Sequence, residues 1–173
     1  LLGKFYKAKE WREMEYFDES WKNRISQMAK HIGTKESVVD YGCGKMWLRE
    51  YLSKDNSYTG VDYQKRDDTS VVCDFNKKEF PNIKADVGFI SGCLEYIEDP
   101  KWFLNNISRY HQKCVISYCS TNHFNDYQQR KLLGWKNNLS DNELMELFAK
   151  ENMTLVERDI TPTKNQIFYF VKR

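Results

Sequence analysis

Several features that would announce a function are missing from these 173 residues. The five cysteines, at 43, 73, 93, 114 and 119, contain no Cys-x-x-Cys pair, and the three histidines show no partnered spacing with them. No metal site is therefore expected. Four of the five thiols fall in or beside expected strands and read as buried groups, which suits a reducing, cytoplasmic setting. The net charge is only +2, and no lysine or arginine run stands out. Neither a nucleic-acid partner nor a strongly steering field is expected. No apolar run approaches membrane-spanning length and no secretory pattern is visible, so no membrane partner is expected. Repeats and low-complexity tracts are also lacking. What is abundant is aromatic side chain, at 15%. That favours one packed domain with a sizeable core.

The most informative stretch that is present is SVVDYGCGKMWL, residues 37–48. A β-branched run ends in Asp40, and Gly42 and Gly44 follow at once. This reads as a buried strand entering a tight turn where backbone must approach something closely. Further on, YTGVDY supplies a second strand ending in an acid, Asp62. A glycine turn after one strand and an acid at the tip of the next is how nucleoside-bearing cofactors are held. The acid accepts hydrogen bonds from ribose hydroxyls.

Two better-known nucleotide patterns are absent. The dinucleotide fingerprint G-x-G-x-x-G has Trp47 at its last position, where bulk prevents the close helix–strand contact. The phosphate loop G-x-x-x-x-G-K-[ST] fails because Gly44-Lys45 is followed by Met46. The pattern suits a nucleoside without a pyrophosphate and disfavours a nicotinamide oxidoreductase.

On these residues the chain resembles the class I S-adenosylmethionine-dependent methyltransferases. DYGCG is similar to their first motif, [DE]-x-G-x-G-x-G, with Met46 in place of the third glycine. GVDY (60–63) resembles the ribose-binding segment after strand two, and CDF (73–75) the adenine-contacting segment after strand three. DVGFISGCLEYIEDPKWFL (86–104) resembles the strand-four motif, with Tyr96 where histidine is usual. The likeness spans residues 37–120. It implies S-adenosyl-L-methionine as cofactor, with contacts from Asp40, Tyr41, Gly42, Gly44, Asp62, Tyr63, Asp74, Phe75, Ser91 and Gly92. Strand-end capping or turn formation is the plain alternative for Asp40 and Asp74, and core packing for Tyr63 and Phe75.

Strands are expected at 37–41, 58–62, 70–73, 86–91, 113–118, 153–160 and 166–172, and helices at 9–32, 45–54, 99–110 and 141–151. The last helix opens with the capping box Ser140-x-x-Glu143. The alternation indicates an α/β Rossmann-like domain, a mostly parallel sheet with helices on both faces. The short turn near residue 163 makes the last two strands antiparallel. Seven strands with an antiparallel last one is also what the resemblance implies. Residues 1–34 form a helical cap, 35–118 the cofactor-binding half, 119–140 a substrate lid, and 141–173 the final helix and hairpin. The segment 119–140 reads as the least regular of the chain.

For chemistry, His123 is the candidate general base, a few residues past strand five. His31 and His111 sit at helix ends and are assigned no role beyond the local dipole. Glu95 and Tyr96 follow strand four and are candidates to touch cofactor or substrate. Cys93 stands where cytosine methyltransferases carry a nucleophile, but Gly92 precedes it where they have proline. The N-P-P-[YF] signature of adenine-amino methyltransferases is absent too. The expected function is methyl transfer to a small molecule such as a metabolite, sugar or lipid precursor. The alternatives are an RNA or protein methyltransferase needing a partner, and a scaffold that has lost turnover.

Overall fold

The fold, taken from a computed structural model, is described for residues 17–163 and 165–173. The expectation of helix over 9–16 lies outside these residues. Seven strands form one sheet: β1 Ser37–Tyr41, β2 Ser57–Asp62, β3 Val71–Val72, β4 Ala85–Ile90, β5 His111–Tyr118, β6 Met153–Ile160 and β7 Gln166–Lys172. Their order is β3-β2-β1-β4-β5-β7-β6. The first five run parallel, and β7 lies antiparallel to both β5 and β6. The order reverses between β1 and β4, and in open α/β sheets that is where a crevice opens beyond the carboxyl ends of the strands.

Period-two alternation divides the apolar residues between the two faces of the sheet. Val39, Ile90, Cys114, Ile116, Phe168 and Phe170 pack with Phe103, Ile107, Leu144 and Phe148. The last four belong to α2 (Pro100–Tyr110) and α4 (Asp141–Lys150). The neighbouring positions Val38, Phe89, Val115 and Ile167 face the other way, onto Met28 and Ala29 of α1 (Trp21–Ala29) and onto Leu48. The capping box opens α4 as the sequence indicates: Ser140 accepts from the Glu143 N–H, and Glu143 reaches back to the Ser140 N–H. No helix among the described residues is long and apolar enough to cross a membrane.

Three expectations change. The helix expected at 45–54 is a single 3₁₀ turn, Trp47–Tyr51. Met46 ahead of it holds φ +58, and Leu52 behind it is extended at φ −90 and ψ 152. Helical geometry is thus blocked at both ends. Among the described residues the helix expected to run to residue 32 covers Trp21–Ala29, and ahead of it the Asp18 carboxylate accepts the Ser20 N–H at 2.8 Å and forms a turn. The segment 119–140 contains α3 (Tyr127–Leu132), capped by Asp126.

His111 also departs from expectation. It is the first residue of β5 and lies in the core, where its Nδ1 donates to the Ala85 carbonyl at 2.9 Å. Nε2 then accepts from the Tyr41 hydroxyl at 2.6 Å. Burial lowers its pKa from 6.5 to about 4, so it offers no charge to the end of α2 at neutral pH. The unfolded chain protonates this histidine below pH 6.5, while the folded chain resists until about 4. Its contribution is therefore complete above 6.5 and lost as pH falls, by about 3 kcal/mol in total. Urea unfolding of His111→Asn and the natural protein, compared from pH 7.5 to 4, should show the stability gap between them shrinking toward acid. A constant gap would mean that the histidine charges freely in the fold.

Candidate functional site

The β1 chain leaves the sheet at Tyr41 and turns through Gly42 (φ +73) and Gly44 (φ +49), conformations that side chains disfavour. The turn is tied to β2. The N–H groups of Gly42 and Cys43 both donate to the Val61 carbonyl, at 2.8 and 3.1 Å. The Gly44 N–H donates to the Asp62 carboxylate at 2.9 Å. Where the resembled motif has its third glycine, Met46 adopts the same left-handed backbone at a cost of about 1 kcal/mol. Its side chain is buried, with the sulfur accepting from Arg49 and the methyl lying against Gly60. The substitution keeps the backbone path of a glycine.

At this edge stand Gly42, Gly44, Asp62, Tyr63, Ser91 and Gly92. The turn after β4 packs beneath the turn after β1, since a Cβ on Gly42 would come within 2.8 Å of the Cys93 sulfur. Burial pushes the Cys93 thiol well up, so it is no ready thiolate nucleophile. Asp40 is buried one strand position before Tyr41, and its carboxylate accepts from the Tyr58 hydroxyl at 2.7 Å. Burial raises its pKa to about 7. Asp74 caps the short 3₁₀ turn Phe75–Lys77 by accepting the Asn76 N–H, and it stays partly exposed. The side chains of Tyr41 and Phe75 lie elsewhere, in the core with Phe80 and Phe103. Only the backbone of Tyr41 reaches the turn.

His123 is not brought to this group. It is exposed and lines a shallow recess with Arg158, Asp159, Ile160 and Gln166, at the β6–β7 end of the sheet.

Local periodicity missed three residues, Arg66, Arg24 and Phe17. Arg66 binds Asp62 through Nε at 3.1 Å, with its guanidinium over the rings of Phe17 and Tyr63. Arg24 donates from Nε to the Ser91 hydroxyl at 3.0 Å. Phe17 forms an aromatic cluster with Trp21 and Trp47. The Asp62-x-x-x-Arg66 spacing was the one available signal. Glu95, in the 3₁₀ turn Leu94–Tyr96 beyond β4, is 4% exposed. One oxygen accepts the Cys119 N–H at 3.1 Å, while among the described residues Oε2 has no partner. Burial raises the pKa of this carboxyl against the nearby charges of Arg24 and Arg130.

Arg130 is wholly buried and organises the segment after β5. It donates to the carbonyls of Cys119, Phe124 and Asn137, to the Asn138 side chain, and to the Tyr118 hydroxyl. Its guanidinium lies 4.8 Å over the Trp135 ring. A buried arginine satisfied mainly by carbonyls holds its loop at several points. Replacing Arg130 with Met should cost about 3–5 kcal/mol, because several carbonyls lose a charged donor at once. Hydrogen exchange should show faster exchange across 119–138 in that variant, with β1 and β4 unaffected. Equal exchange in both proteins would remove Arg130 from this role.

A family model described as a methyltransferase domain matches residues 11–156. No curated protein matches the sequence. Among solved structures, the Burkholderia thailandensis 1,6-didemethyltoxoflavin-N1-methyltransferase, bound to 1,6-didemethyltoxoflavin and S-adenosylhomocysteine, is similar at TM-score 0.69 and 18% identity, covering 90% of this chain and 79% of that one. The putative methyltransferase complexed with the Haloferax volcanii Trm112 activator gives 0.67 and 19%, over 88% and 92%. The O-methyltransferase NcsB1 of neocarzinostatin biosynthesis, with S-adenosylmethionine and a naphthoic acid, gives 0.65 and 17%, over 89% of this chain but 57% of its own. Its match to the family model over most of its length, on a seven-stranded sheet of this order, places the chain in the methyltransferase-domain family.

Proposed function

We propose that the chain transfers a methyl group from S-adenosyl-L-methionine to a small-molecule acceptor. The observation that carries this reading is the meeting of the Gly42–Gly44 turn with the Asp62 carboxylate at the switch point of the sheet. The residues present fit the cofactor. The turn backbone has positive φ where side chains would obstruct a ligand, and an acid at the tip of β2 can accept from two ribose hydroxyls. In this reading Asp74, partly exposed after β3, accepts from the adenine amino group. The backbone at Ser91 and Gly92 forms the opposite wall. When bound, the cofactor supplies an electrophilic methyl on a sulfonium, so the work left to the protein is mainly alignment and exclusion of water. Methyltransferase-domain membership supports the reading, as do the small molecules named with the Burkholderia enzyme and NcsB1.

On the acceptor side, Glu95 and Tyr96 line the approach from β4, and the Arg130-braced segment 119–140 forms the outer wall. A base role for His123 belongs to acceptors that reach from β4 across β5 to β7, roughly 10 Å at ordinary strand spacing.

Calorimetric titration is the test. S-adenosylmethionine and S-adenosylhomocysteine should bind, and NAD should not. Asp62→Ala should weaken S-adenosylhomocysteine by about 1.5–3 kcal/mol, the worth of a hydrogen bond to a charged group. NAD binding as tightly as S-adenosylmethionine would overturn the reading. S-adenosylhomocysteine release with a panel of hydroxyl, amine and carboxylate acceptors then sorts the substrate class.

A further inference from the structure

The carboxylate offered to a ribose is already engaged. Asp62 Oδ2 takes the Gly44 N–H at 2.9 Å and Arg66 Nε at 3.1 Å, and Oδ1 faces the Arg66 terminal nitrogen at 3.4 Å. The two side chains are 5% and 3% exposed, so this is a buried pair and not a surface contact. The glycine turn is covered as well. A Cβ built on Gly44 would lie 2.2 Å from the Phe17 ring, so that ring rests on the backbone a ligand needs to approach. On the opposite wall, a Cβ on Gly92 would lie 2.6 Å from the Arg24 guanidinium. The Arg66 guanidinium stands 5.2 Å from the Phe17 ring centre and 5.8 Å from that of Tyr63. Phe17, Arg24 and Arg66 therefore fill the three places where a nucleoside would meet this edge.

We propose that these three residues form a latch that competes with the cofactor from within the chain, Arg66 standing in for the ribose on Asp62. This rests on the reading of the edge as a cofactor site. Binding requires Arg66 to leave Asp62 and Phe17 to leave Gly44. A groove of about 300 Å³ lies beside the turn, and Arg66 already lines it together with Glu50 and Asp67, whose carboxylates pair with Lys22 and Arg49 and would be shared with the displaced arginine. Because Phe17 precedes α1 by a few residues and packs on Trp21, opening the latch also moves the entry to that helix. Apparent affinity is then the intrinsic affinity reduced by the fraction of molecules with the latch open. The latch also works in reverse, since ribose on Asp62 frees a guanidinium at the mouth of the site.

The test is calorimetric titration of S-adenosylhomocysteine into the natural protein, Phe17→Ala and Arg66→Gln. Both variants should bind more tightly, on the order of tenfold, because each removes a competitor that must otherwise be displaced. Unchanged or weaker binding in both would overturn the latch and make these residues cofactor contacts or bystanders. Phe17→Ala leaves the buried ion pair in place, so it decides the matter if Arg66→Gln does not fold. Failure of all three proteins to bind overturns the cofactor reading, and the latch with it. Equal binding by all three overturns the latch alone.

Discussion

The hydrogen bond from the Gly44 N–H to Asp62 is the constraint on which the functional edge depends. It ties the turn after β1 to the tip of β2 and so fixes the shape of the crevice wall that faces Ser91 and Gly92. The Val61 carbonyl, taking two N–H groups from the same turn, holds the other side. With these bonds in place the chain must pass Gly42 and Gly44 at positive φ, and Met46 must follow in the left-handed region too. The strained backbone is thus a consequence of the anchoring. The buried contacts of Met46 offset the strain.

Three arginines do different work around this edge. Arg130 is satisfied by carbonyls and neutral side chains and braces a loop. Arg24 crosses from α1 to the tip of β4. Arg66 pairs with an acid four residues earlier. Arg66 and Arg130 are held by groups far better matched to guanidinium than to ammonium, with planar forks meeting oxygens and ring faces. Around them the carboxyls of Asp40 and Glu95 are buried and pushed toward the protonated state. The edge therefore carries less negative charge than its acids suggest.

Much of the fold was legible because β-branched and aromatic runs here coincide with strands, and because turns and caps carry their own residue types. All seven strands fall within two residues of the expected bounds. The glycine turn and Asp62 were legible for the same reason: the requirement is local. Arg130 was not, because nothing in YQQRKLL distinguishes an arginine that enters the core from one that meets water. Nor was Phe17, whose place on Gly44 depends on how residues 17–20 turn before α1. The placement of the Phe75 and Tyr41 rings was hidden for a different reason. Both sit beside the right strands, but alternation along β1 sends the Tyr41 ring to the core face, and Phe75 enters the core from the 3₁₀ turn that follows β3.

The strand order has a consequence for how the chain is made. β7 lies between β5 and β6. It is thus an interior strand that leaves the ribosome after every other strand of the sheet. Until it arrives, β5 presents the backbone groups of Lys113–Tyr118 as an open edge, and Phe148 lacks Phe170, on which it stacks at 3.8 Å. The parallel half can assemble early from β1, β2 and β4, but it carries an exposed, apolar, unpaired strand while translation continues. Closure then comes from one antiparallel hairpin, a short-range event that is fast compared with the parallel crossovers before it. The nascent chain is most open to wrong pairing in the interval between the synthesis of β5 and that of β7.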